Sequence, residues 1–308
     1  MTPLVCMATY NGMRFVREQL DSILKQSLPA AKILISDDGS DDGTPEILAD
    51  FAKLDPRIEL LPPRSPRGNG ACGNFEYLLK TAQTRLPDED VFIALADQDD
   101  IWLPHKLETM ADVLRQFHGC YSDLTLMHAD GHDLGDTLLQ QLRAPSEPSL
   151  RSLLAQNAVP GCALALRREM LALALPFPKD LVNHDWWLAV CLAAQGTLAA
   201  IDEPLLRYRQ HAGNAVGAYR PLRQLMRLSS LVQRQQRVLA SQRVAVEELV
   251  QRLEKQPSPA VPVLENYVAR LAHRSSTQRV RSMLFGPFAA PLPALRMLRA
   301  VAAFRLKT

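Results

Sequence analysis

The chain has 308 residues, of which 47% are hydrophobic and 22% are charged, and its formal net charge is +2. This is the composition of an ordinary globular protein, and the length suits one main domain with an appended element. The five cysteines are odd in number and lack paired metal spacing, so we expect them to be reduced, in a cytoplasmic protein. No apolar stretch reaches about 18 residues without a charge, and no basic flank precedes an apolar core at the amino terminus, so neither a spanning helix nor a secretory signal is predicted.

Three short apolar runs open the chain, and each precedes a helix-like pattern. They are T-P-L-V-C-M-A-T-Y, A-K-I-L-I-S-D-D-G-S and R-I-E-L-L-P-P. Strands that alternate with helices predict an α/β fold with a mixed, largely parallel sheet. After the second run, Gly39 permits a tight turn, Asp41 and Asp42 are predicted to serve turn chemistry, and Thr44 can cap the next helix.

The next apolar run ends in a cluster of carboxylates. Residues 91–96, V-F-I-A-L-A, suit a strand buried on both faces, and Asp97, Asp99 and Asp100 follow within four positions. The carboxyl end of a parallel strand is where open α/β sheets bind ligands. Alternate residues of an extended chain point the same way, so Asp97 and Asp99 can converge on one hard divalent ion that also binds phosphate oxygens.

Asp37 and Asp38 place a second pair of acids at a strand end. In a nucleotide-binding sheet, the two acidic ends predict a division of labour. Asp97 and Asp99 would hold a metal and a diphosphate, and Asp37 or Asp38 would accept hydrogen bonds from a base or ribose. A polar strand end followed by a helix cap explains either acidic end without a ligand.

Two segments further along the chain also carry candidate residues. In L-V-N-H-D-W-W-L-A-V, Asp185 lies in the first turn of a predicted helix, a position that the helix dipole favours for any acid. In L-L-R-Y-R-Q-H-A-G-N, Arg207, Arg209 and His211 alternate along an extended chain and share a face that suits a diphosphate, before Gly213 lets the chain turn away.

The carboxyl-terminal region is basic. Residues 221–308 contain 15 Lys or Arg and 4 Asp or Glu, a charge of +11, which leaves −9 for residues 1–220. A helix is predicted from Pro221 to about Gln256, where a proline-rich break ends it, and two shorter helices follow. The apolar residues of the first helix can dock on the rest of the chain or on a partner, and they predict a homodimer.

The last 16 residues predict an amphipathic helix. Arg296, Arg299 and Lys307 fall on one side and an apolar arc faces the other, with Arg305 inside that arc. The arc comprises Leu295, Met297, Leu298, Val301 and Phe304. Such a helix can lie on an anionic membrane surface, or it can pack on the protein or on a second subunit. Nucleic acid is not expected, because the arginines are not interleaved with exposed aromatic residues.

The motifs together resemble the inverting glycosyltransferases of family 2, which have the GT-A fold. The resemblance rests on five segments in this order: A-T-Y-N-G (8–12), E-Q-L-D-S-I-L-K-Q-S (18–27), S-D-D-G-S-D-D-G-T (36–44), G-N-F (73–75) and D-Q-D-D-I-W-L-P-H-K-L (97–107). They are most similar to the bacterial rhamnosyltransferase branch, whose members build O-antigen and related cell-surface polysaccharides. The resemblance covers roughly residues 3–215.

The resemblance implies a division of the chain. Residues 1–217 would form the GT-A catalytic domain, with a donor half at about 1–103 and an acceptor half at about 104–217, and residues 218–308 would form a helical, basic carboxyl-terminal region. The implied reaction is transfer of rhamnose from dTDP-rhamnose to a saccharide acceptor, expected to be lipid-linked, at the inner face of the cytoplasmic membrane. A donor carrying UDP with glucose, galactose or N-acetylglucosamine is the alternative.

The resemblance also implies roles for single residues. Asp185 would be the catalytic base, although His184 stands where relatives often carry another acid. The metal, Mg²⁺ or Mn²⁺, would be held by Asp99, Asp97 and His211. From the residues themselves, Gly161, which opens a loop, and Trp186, whose ring can offer a flat apolar face to a sugar, are predicted on the acceptor side. The residues implied in donor binding are Thr9, Tyr10, Asn11, Asp37, Asp38, Asn74, Asp97, Gln98 and Arg209.

Two other classes of protein fit the chain less well. A nucleotidyltransferase should have a glycine-rich basic signature after its first strand, and Thr9-Tyr10-Asn11-Gly12 lacks it. A catalytically inactive scaffold of polysaccharide assembly should have lost the acids, which are present.

Overall fold

The computed structural model describes residues 1–64, 70–85, 90–144, 147–211, 228–254, 258–291, 293–304 and 306. The strands are β1 (Thr2–Thr9), β2 (Lys32–Asp37), β3 (Ile58–Leu60), β4 (Val91–Ala96), β5 (Ile101–Trp102), β6 (Gly119–His128), β7 (Asp133–Thr137), β8 (Leu164–Arg167) and β9 (Leu198–Gln210). The helices before β9 are α1 (Val16–Leu24), α2 (Thr44–Leu54), α3 (Gly70–Arg85), α4 (Lys106–Val113), α5 (Leu138–Leu142), α6 (Leu150–Ala155), α7 (Leu171–Ala174) and α8 (His184–Ala194). Those after it are α9 (Leu228–Leu253), α10 (Val261–Leu271), α11 (Ser276–Phe285) and α12 (Pro293–Phe304).

The strands form one mixed sheet in the order β3-β2-β1-β4-β8-β6-β9-β5, and β7 pairs with β6. The four strands at one end, β3, β2, β1 and β4, are parallel to one another, as the alternation of strands and helices predicts. β8 pairs antiparallel with both β4 and β6, so the sheet changes direction immediately beside β4. The carboxyl end of β4 therefore lies at the junction of the parallel and mixed parts.

Alternate residues of the central strands supply two separate cores, one on each face of the sheet. In β1, Leu4 and Cys6 point into the core that α3 and α8 cover, whereas Val5 and Met7 point into the core that contains side chains of α1, α2 and α4. All six residues of β4 are buried, which explains its unbroken apolar sequence. The sheet is thus covered on both faces, and a functional site is expected at the ends of its strands.

The carboxyl-terminal helices share a core with the rest of the protein. Side chains of α9, α10 and α12 belong to the same buried cluster as side chains of α3 and α8. The long predicted helix is seen as α9, and residues 221–227 and 255–257 lie outside the described residues. The expectation of two shorter helices is wrong, because α10, α11 and α12 follow. Gly286 and Pro287 end α11 and separate it from α12.

The last helix packs with the opposite orientation to that of a simple amphipathic helix. Arg299 is only 3% exposed, and its guanidinium donates to the Leu154 carbonyl at 3.0 Å and to the Tyr267 hydroxyl at 3.2 Å. The small residues Ala300 and Ala303 are also buried, since they allow close approach to the neighbouring helices α9 and α11. The prediction for Arg305 and Lys307 falls outside the described residues. In the part of the chain that is described, no helix is long and apolar enough to span a bilayer.

Candidate active site

The parallel strands bring the predicted donor residues to one edge of the sheet. In the register of β1 with its neighbours, Thr9 lies opposite Asp37, and Met7 lies opposite Ala96, the last residue before the carboxylate cluster. The Thr9 hydroxyl donates to Asp37 Oδ1 at 2.8 Å. The loops that follow β1, β2 and β4 therefore meet, as sequence reasoning predicts for strand ends of a parallel sheet.

Gln98 and Tyr10 join the first and third of these loops through a reciprocal pair of hydrogen bonds. The Tyr10 amide donates to Gln98 Oε1 and Gln98 Nε2 donates to the Tyr10 carbonyl, both at 2.8 Å. A Cβ atom on Gly12 would lie 2.3 Å from Gln98 Oε1, so only glycine permits this contact. The Tyr10 ring is 58% exposed and lies at the surface of the edge.

Asn11 holds the loop after β1 against the loop after β2. Its backbone is left-handed, with φ of 49°, and its amide donates to Ser40 Oγ at 2.8 Å. The Asn11 side-chain oxygen accepts from the Asp41 amide at 3.0 Å. The Asp42 carboxylate accepts from the amides of Met13 and Thr44, so the prediction of turn chemistry is confirmed for Asp42.

Asp37 and Asp38 have different surroundings, although they are adjacent. The Asp37 carboxylate accepts hydrogen bonds from Thr9 Oγ1, from the Gly39 amide, and from both the amide and hydroxyl of Ser40. These bonds shape the turn that follows β2. Asp38 instead pairs with Arg64 at 2.5 Å. Of the two carboxylates, only that of Asp37 is hydrogen-bonded within the turn.

Asn74 lies behind the edge, on α3, and is 2% exposed. Its Nδ2 donates to the Ser36 carbonyl at 2.8 Å, which fixes α3 against β2 next to the acidic turn. Within the described residues, its Oδ1 has no hydrogen-bond partner. The structure therefore gives Asn74 a clear role in positioning the turn, and direct donor binding stays a prediction.

The carboxylate cluster after β4 differs from the extended arrangement expected from sequence. The chain turns after Ala96, so Asp97 and Asp100 approach each other, and ligand atoms of these two residues and of Cys162 all lie within 4.8 Å of one another. Asp100 is fully buried, and no sequence pattern predicts its contact with Cys162, which is distant in the chain. The acids therefore do not lie along an extended chain, although Asp99 is close enough to Asp97 to raise its pKa.

Burial and mutual repulsion determine the electrostatics of this cluster. Burial, followed by the Asp99 carboxylate, raises the pKa of Asp97 to about 7, and the same causes raise the pKa of Asp100 well above its ordinary value. Asp185 also raises the pKa of Asp97, so these two groups are electrostatically close although they come from different halves of the chain. Concentrated negative charge of this kind is what a divalent cation would relieve.

Lys106 is a buried cation whose charge lowers the pKa of Asp97, against the effects of burial and of the other acids. Its Nζ donates to the Cys162 carbonyl at 2.5 Å and lies 3.9 Å from the centre of the Trp102 ring. Burial lowers the pKa of Lys106 to about 8, which the charges of Asp100 and Asp97 partly oppose. Burial also raises the pKa of Cys162, so its thiol stays protonated at neutral pH and is a poor ligand for a hard ion.

Asp99 and His211 are brought together, as the resemblance implies for two metal ligands. Asp99 Oδ2 and His211 Nε2 are 2.8 Å apart, and both side chains are shielded from solvent. The His211 ring lies 4.9 Å from the ring of Phe15, which follows the loop after β1. The residue that follows β9, His211, thus lies beside Asp99 at the strand-end edge.

Arg209 is engaged by the protein rather than left facing the edge. Its guanidinium, 3% exposed, donates to Glu18 Oε2 at 2.5 Å and to the Asp99 carbonyl at 2.9 Å, and it lies 4.7 Å from the Phe15 ring. Arg207, two residues earlier, pairs with Asp133 at 2.7 Å. The prediction that Arg207 and Arg209 share a face open to a diphosphate is therefore wrong, because each guanidinium pairs with an acidic residue of the protein.

Asp185 lies at the start of α8 against Gly161, which belongs to a short 3₁₀ turn over Gly161–Ala163. A Cβ atom on Gly161 would lie 3.5 Å from Asp185 Cβ and 3.0 Å from His184 Nε2. The Asp185 carboxylate accepts from the Trp186 amide at 2.7 Å. The absence of a side chain at Gly161 therefore leaves room beside the predicted base.

His184 is not equivalent to Asp185 as a proton acceptor. Its ring stacks on Phe75 with 4.1 Å between centres, and its Nδ1 lies 4.0 Å from Cys72 Sγ. Burial lowers the pKa of His184, against the opposing effect of Asp185, so the ring is neutral at physiological pH. It supports the start of α8 from the core side.

The expectation that Trp186 offers a flat face to an acceptor sugar is wrong. Trp186 is 1% exposed, and its indole Nε1 donates to the Leu153 carbonyl at 2.9 Å. Trp187 is buried too, with Nε1 donating to the Ala174 carbonyl at 2.9 Å. Neighbouring residues of a helix normally differ in exposure, but α8 is covered on nearly all sides and both rings enter the core.

The sheet, the carboxylates at its edge and the acid opposite them define the class of the protein as a GT-A glycosyltransferase. A family model for glycosyl transferase family 2 matches residues 4–171. The chain belongs to glycosyltransferase family 2, whose members transfer sugars with inversion of configuration.

Curated relatives include transferases with different donors. The chain is 33% identical over 224 residues to a protein named dTDP-rhamnosyl transferase RfbG from Shigella flexneri, covering 69% of this chain and 74% of that protein. It is 26% identical over 200 residues to the UDP-Glc:alpha-D-GlcNAc-diphosphoundecaprenol beta-1,3-glucosyltransferase WfgD from Escherichia coli, covering 64% of this chain and 72% of that protein.

Solved structures share the fold at low sequence identity. S. aureus TarS residues 1–349 in complex with UDP-GlcNAc superposes with a TM-score of 0.59 at 14% identity, covering 98% of this chain and 90% of that one. The mannosyltransferase PcManGT from Pyrobaculum calidifontis, in complex with GDP-Man and Mn²⁺, has a TM-score of 0.52 at 17% identity, covering 98% and 85%.

Proposed function

We propose that the enzyme transfers rhamnose from dTDP-rhamnose to a saccharide acceptor in the synthesis of a cell-surface polysaccharide. The observation that carries the proposal is the contact of Asp99 with His211 beside Asp97, whose pKa is raised by the nearby charges of both Asp99 and Asp185. A metal and nucleotide site and a base are the two parts that inversion by direct displacement requires. The name of the Shigella flexneri relative supports rhamnose and dTDP.

The donor half would bind the nucleotide on the loops after β1 and β2. Asp38 is better suited than Asp37 to accept from a base or ribose, because the Asp37 carboxylate already accepts four hydrogen bonds within its turn. Thr9 and Asn11 hold these loops together, and the exposed Tyr10 ring and the amide of Gln98 lie at the surface of the same edge. Asn74 supports the turn from behind.

The residues present fit a divalent cation, Mg²⁺ or Mn²⁺. Asp97 and Asp99 supply hard oxygen ligands and His211 an imidazole nitrogen, and the buried Asp100 Oδ2 has no hydrogen-bond partner within the described residues. When bound, the cation would offset the charge that develops on the leaving diphosphate. Arg209 contributes by holding the Asp99 backbone, and a direct contact to phosphate stays a prediction.

The acceptor half would use Asp185 as the base. Its carboxylate stands beside the space left by Gly161, whereas His184 is buried and stacked on Phe75. A carboxylate at this place can take the proton of an acceptor hydroxyl while the diphosphate departs from the opposite face of the sugar. With Trp186 in the core, the acceptor must be recognised by other groups.

The alternative within the same reaction is a donor carrying UDP. It is favoured by the Escherichia coli relative, whose name specifies UDP-glucose, and by the structural similarity to TarS, which was solved with UDP-GlcNAc. That relative's name also specifies a diphosphoundecaprenol acceptor, which supports a lipid-linked acceptor here. We therefore propose that the enzyme acts at the inner face of the cytoplasmic membrane. The proposal treats 1–217 as the catalytic domain and 218–308 as its helical extension, with a homodimer as the expected assembly.

The test is slow hydrolysis of a panel of nucleotide sugars by the purified enzyme in the presence of Mn²⁺. We expect nucleotide release from dTDP-rhamnose to exceed release from UDP-glucose, UDP-galactose and UDP-N-acetylglucosamine by at least about tenfold, which is about 1.4 kcal/mol in transition-state energy. Faster release from any UDP-sugar would establish the alternative donor. A folded protein that hydrolyses none of them, and transfers none to a saccharide acceptor, would overturn the proposal.

A further inference from the structure

The outward face of α12 is apolar. Among its side chains that the structure describes, the exposed ones are Met297, Val301 and Phe304, at 55%, 40% and 57% exposure. Their spacing of four and three residues places them on one stripe of the helix. The arginines of the helix are used inside the protein, with Arg299 buried and Arg296 donating to the Ala290 carbonyl at 2.8 Å. The helix thus presents large apolar side chains to solvent, while Arg299 and the alanines Ala300 and Ala303 face the protein.

A fourth apolar side chain lies on the neighbouring helix. Phe285 is 80% exposed at the end of α11, one turn after the exposed Arg281. Arg279, near the start of α11, donates to the carbonyls of Ala303 and Leu306 beyond the middle of α12, so the two helices run antiparallel. The end of α11 therefore lies beside the beginning of α12. Four of the ten large apolar residues that are exposed in the described parts of the chain belong to this helical pair.

We call Phe285, Met297, Val301 and Phe304 the apolar patch, and the segment of the chain that carries it is basic, with Arg274 and Arg281 exposed. Residues 266–308 contain eight basic residues and no acidic one: Arg270, Arg274, Arg279, Arg281, Arg296, Arg299, Arg305 and Lys307. A second copy of the chain is a poor occupant, because a two-fold interface would place this basic segment against itself with no acid to offset it. A bilayer with anionic headgroups and an apolar interior matches both the basic segment and the apolar patch.

We propose that the apolar patch inserts into the interface of a bilayer containing anionic lipid. The proposal rests on the proposed function in one respect, since a lipid-linked acceptor is what gives the enzyme a reason to be there. Helix α12 has 12 residues and is about 18 Å long, too short for a hydrocarbon core of about 30 Å, so it lies along the surface. The guanidinium groups of Arg296 and Arg299 are hydrogen-bonded to carbonyls of the protein, so attachment of α12 depends mainly on insertion of its apolar side chains.

The most direct test is the full-length Phe304→Trp variant mixed with phosphatidylglycerol vesicles that contain brominated phospholipid. The three native tryptophans, Trp102, Trp186 and Trp187, are at most 2% exposed, so lipid bromines cannot reach them. We expect the emission added at position 304 to be quenched and shifted to shorter wavelength. Leu54→Trp is the matched control, because Leu54 is 84% exposed on α2, far from the patch in sequence, and its emission should not change.

A second measurement is vesicle flotation of the Phe285→Ser/Phe304→Ser double variant at high and low salt. Each lost phenylalanine should weaken partitioning by about tenfold or more, while Leu54→Ser should have no effect. In 0.5 M salt the Debye length is roughly 4 Å, so attraction between surface charges is screened. Binding of the unaltered protein should persist under this condition. Failure of the double variant to fold, seen by circular dichroism, would leave the tryptophan measurement to decide.

The outcomes separate this proposal from the proposed function. Absence of quenching in the Phe304→Trp variant, or flotation equal for the double variant and the unaltered protein, would overturn insertion. So would a double variant that floats normally but changes from dimer to monomer in sedimentation velocity, because the patch would then be a protein interface. Donor hydrolysis is measured without vesicles and should be unchanged in the double variant. Vesicle binding by a protein that hydrolyses no donor would contradict the proposed function and leave the patch intact.

Discussion

Replacing Asp97 by Asn should stabilise the metal-free protein, and increasingly so as the pH rises. The pKa of Asp97 is raised from 3.8 to about 7 by burial and by the neighbouring Asp99. Between these values the folded protein keeps a proton that the unfolded chain has released, so a rising pH favours unfolding. The penalty is absent below about pH 4, grows through this window and is complete above about pH 7. Asn carries no charge and removes it.

The size of the effect follows from the two pKa values. Their difference of about 3 corresponds to about 4 kcal/mol, because one pKa unit is about 1.4 kcal/mol. Asp97 is half-buried, and water reaching its carboxylate reduces the expected difference between the two proteins to about 2 kcal/mol at pH 7.5. At pH 4.5 we expect the free energies of unfolding to agree within about 1 kcal/mol.

The assay is urea unfolding in chelator at several pH values from 4.5 to 7.5, for the unaltered protein, Asp97→Asn and a control, Asp50→Asn. Asp50 is largely exposed on α2, so its variant should follow the unaltered protein throughout. Comparison with the variant is necessary because His184, whose pKa burial lowers, contributes a slope of opposite sign below about pH 6.5. Added Mn²⁺ should stabilise the unaltered protein at pH 7.5 and have little effect on Asp97→Asn.

A constant difference between Asp97→Asn and the unaltered protein across this pH range, within about 0.5 kcal/mol, would refute the electrostatic reasoning. It would mean that Asp97 ionises normally in the folded state and that the carboxylates at the strand end do not repel one another enough for a cation to stabilise them. Equal stabilisation of both proteins by Mn²⁺ would place the ion elsewhere.

Three further predictions concern the base, the metal and the last helix. Asp185→Asn should lower transfer by about 10² to 10⁴-fold with nearly normal donor affinity by calorimetry, and a loss below about tenfold would move the role to another residue. Asp99→Asn should lose Mn²⁺-dependent donor hydrolysis, as chelator should for the unaltered enzyme; near-normal turnover in chelator would contradict a metal role. Arg299→Met leaves the Leu154 carbonyl and the Tyr267 hydroxyl without this donor and should lower the free energy of unfolding, measured in urea, by about 2–4 kcal/mol. Arg296→Met, whose guanidinium has one hydrogen bond of this kind, should lower it by about 1 kcal/mol. Equal losses would show that the burial of Arg299 is not stabilising.

The parallel part of the fold could be predicted from sequence because its signals are local. Each of β1, β2 and β4 is an apolar run that ends in polar or acidic residues, and parallel strands place those ends together without further information. The junction of Thr9 with Asp37 and the position of Asp97 follow from this rule. The ten-residue strand β6 was not predicted, because Ser122, Asp123 and Thr125 interrupt its apolar pattern.

Side-chain partners across the fold could not be predicted from sequence. The pairing of Arg209 with Glu18 joins residues 191 positions apart, and no periodicity specifies it. Asp100 meets Cys162 only because the chain turns after β4 and β8 pairs with that strand. For α12 the pattern predicts the helix, but it does not say that Arg299 faces the protein while Met297, Val301 and Phe304 face solvent. Small alanines beside a hydrogen-bonded Arg299 allow the close contact that larger apolar residues would prevent.

The core shared by the two predicted regions limits where this enzyme can be cut and joined. Leu154 lies in the catalytic region and Val246, Leu264 and Leu306 lie beyond it, yet all belong to one buried cluster. A chimera that exchanges only residues 1–217 with a homologous transferase would bring unmatched surfaces together and expose apolar side chains from both parents. Recombination that seeks a new sugar specificity should therefore exchange short loops at the strand-end edge, and leave each parent's helices with its own sheet.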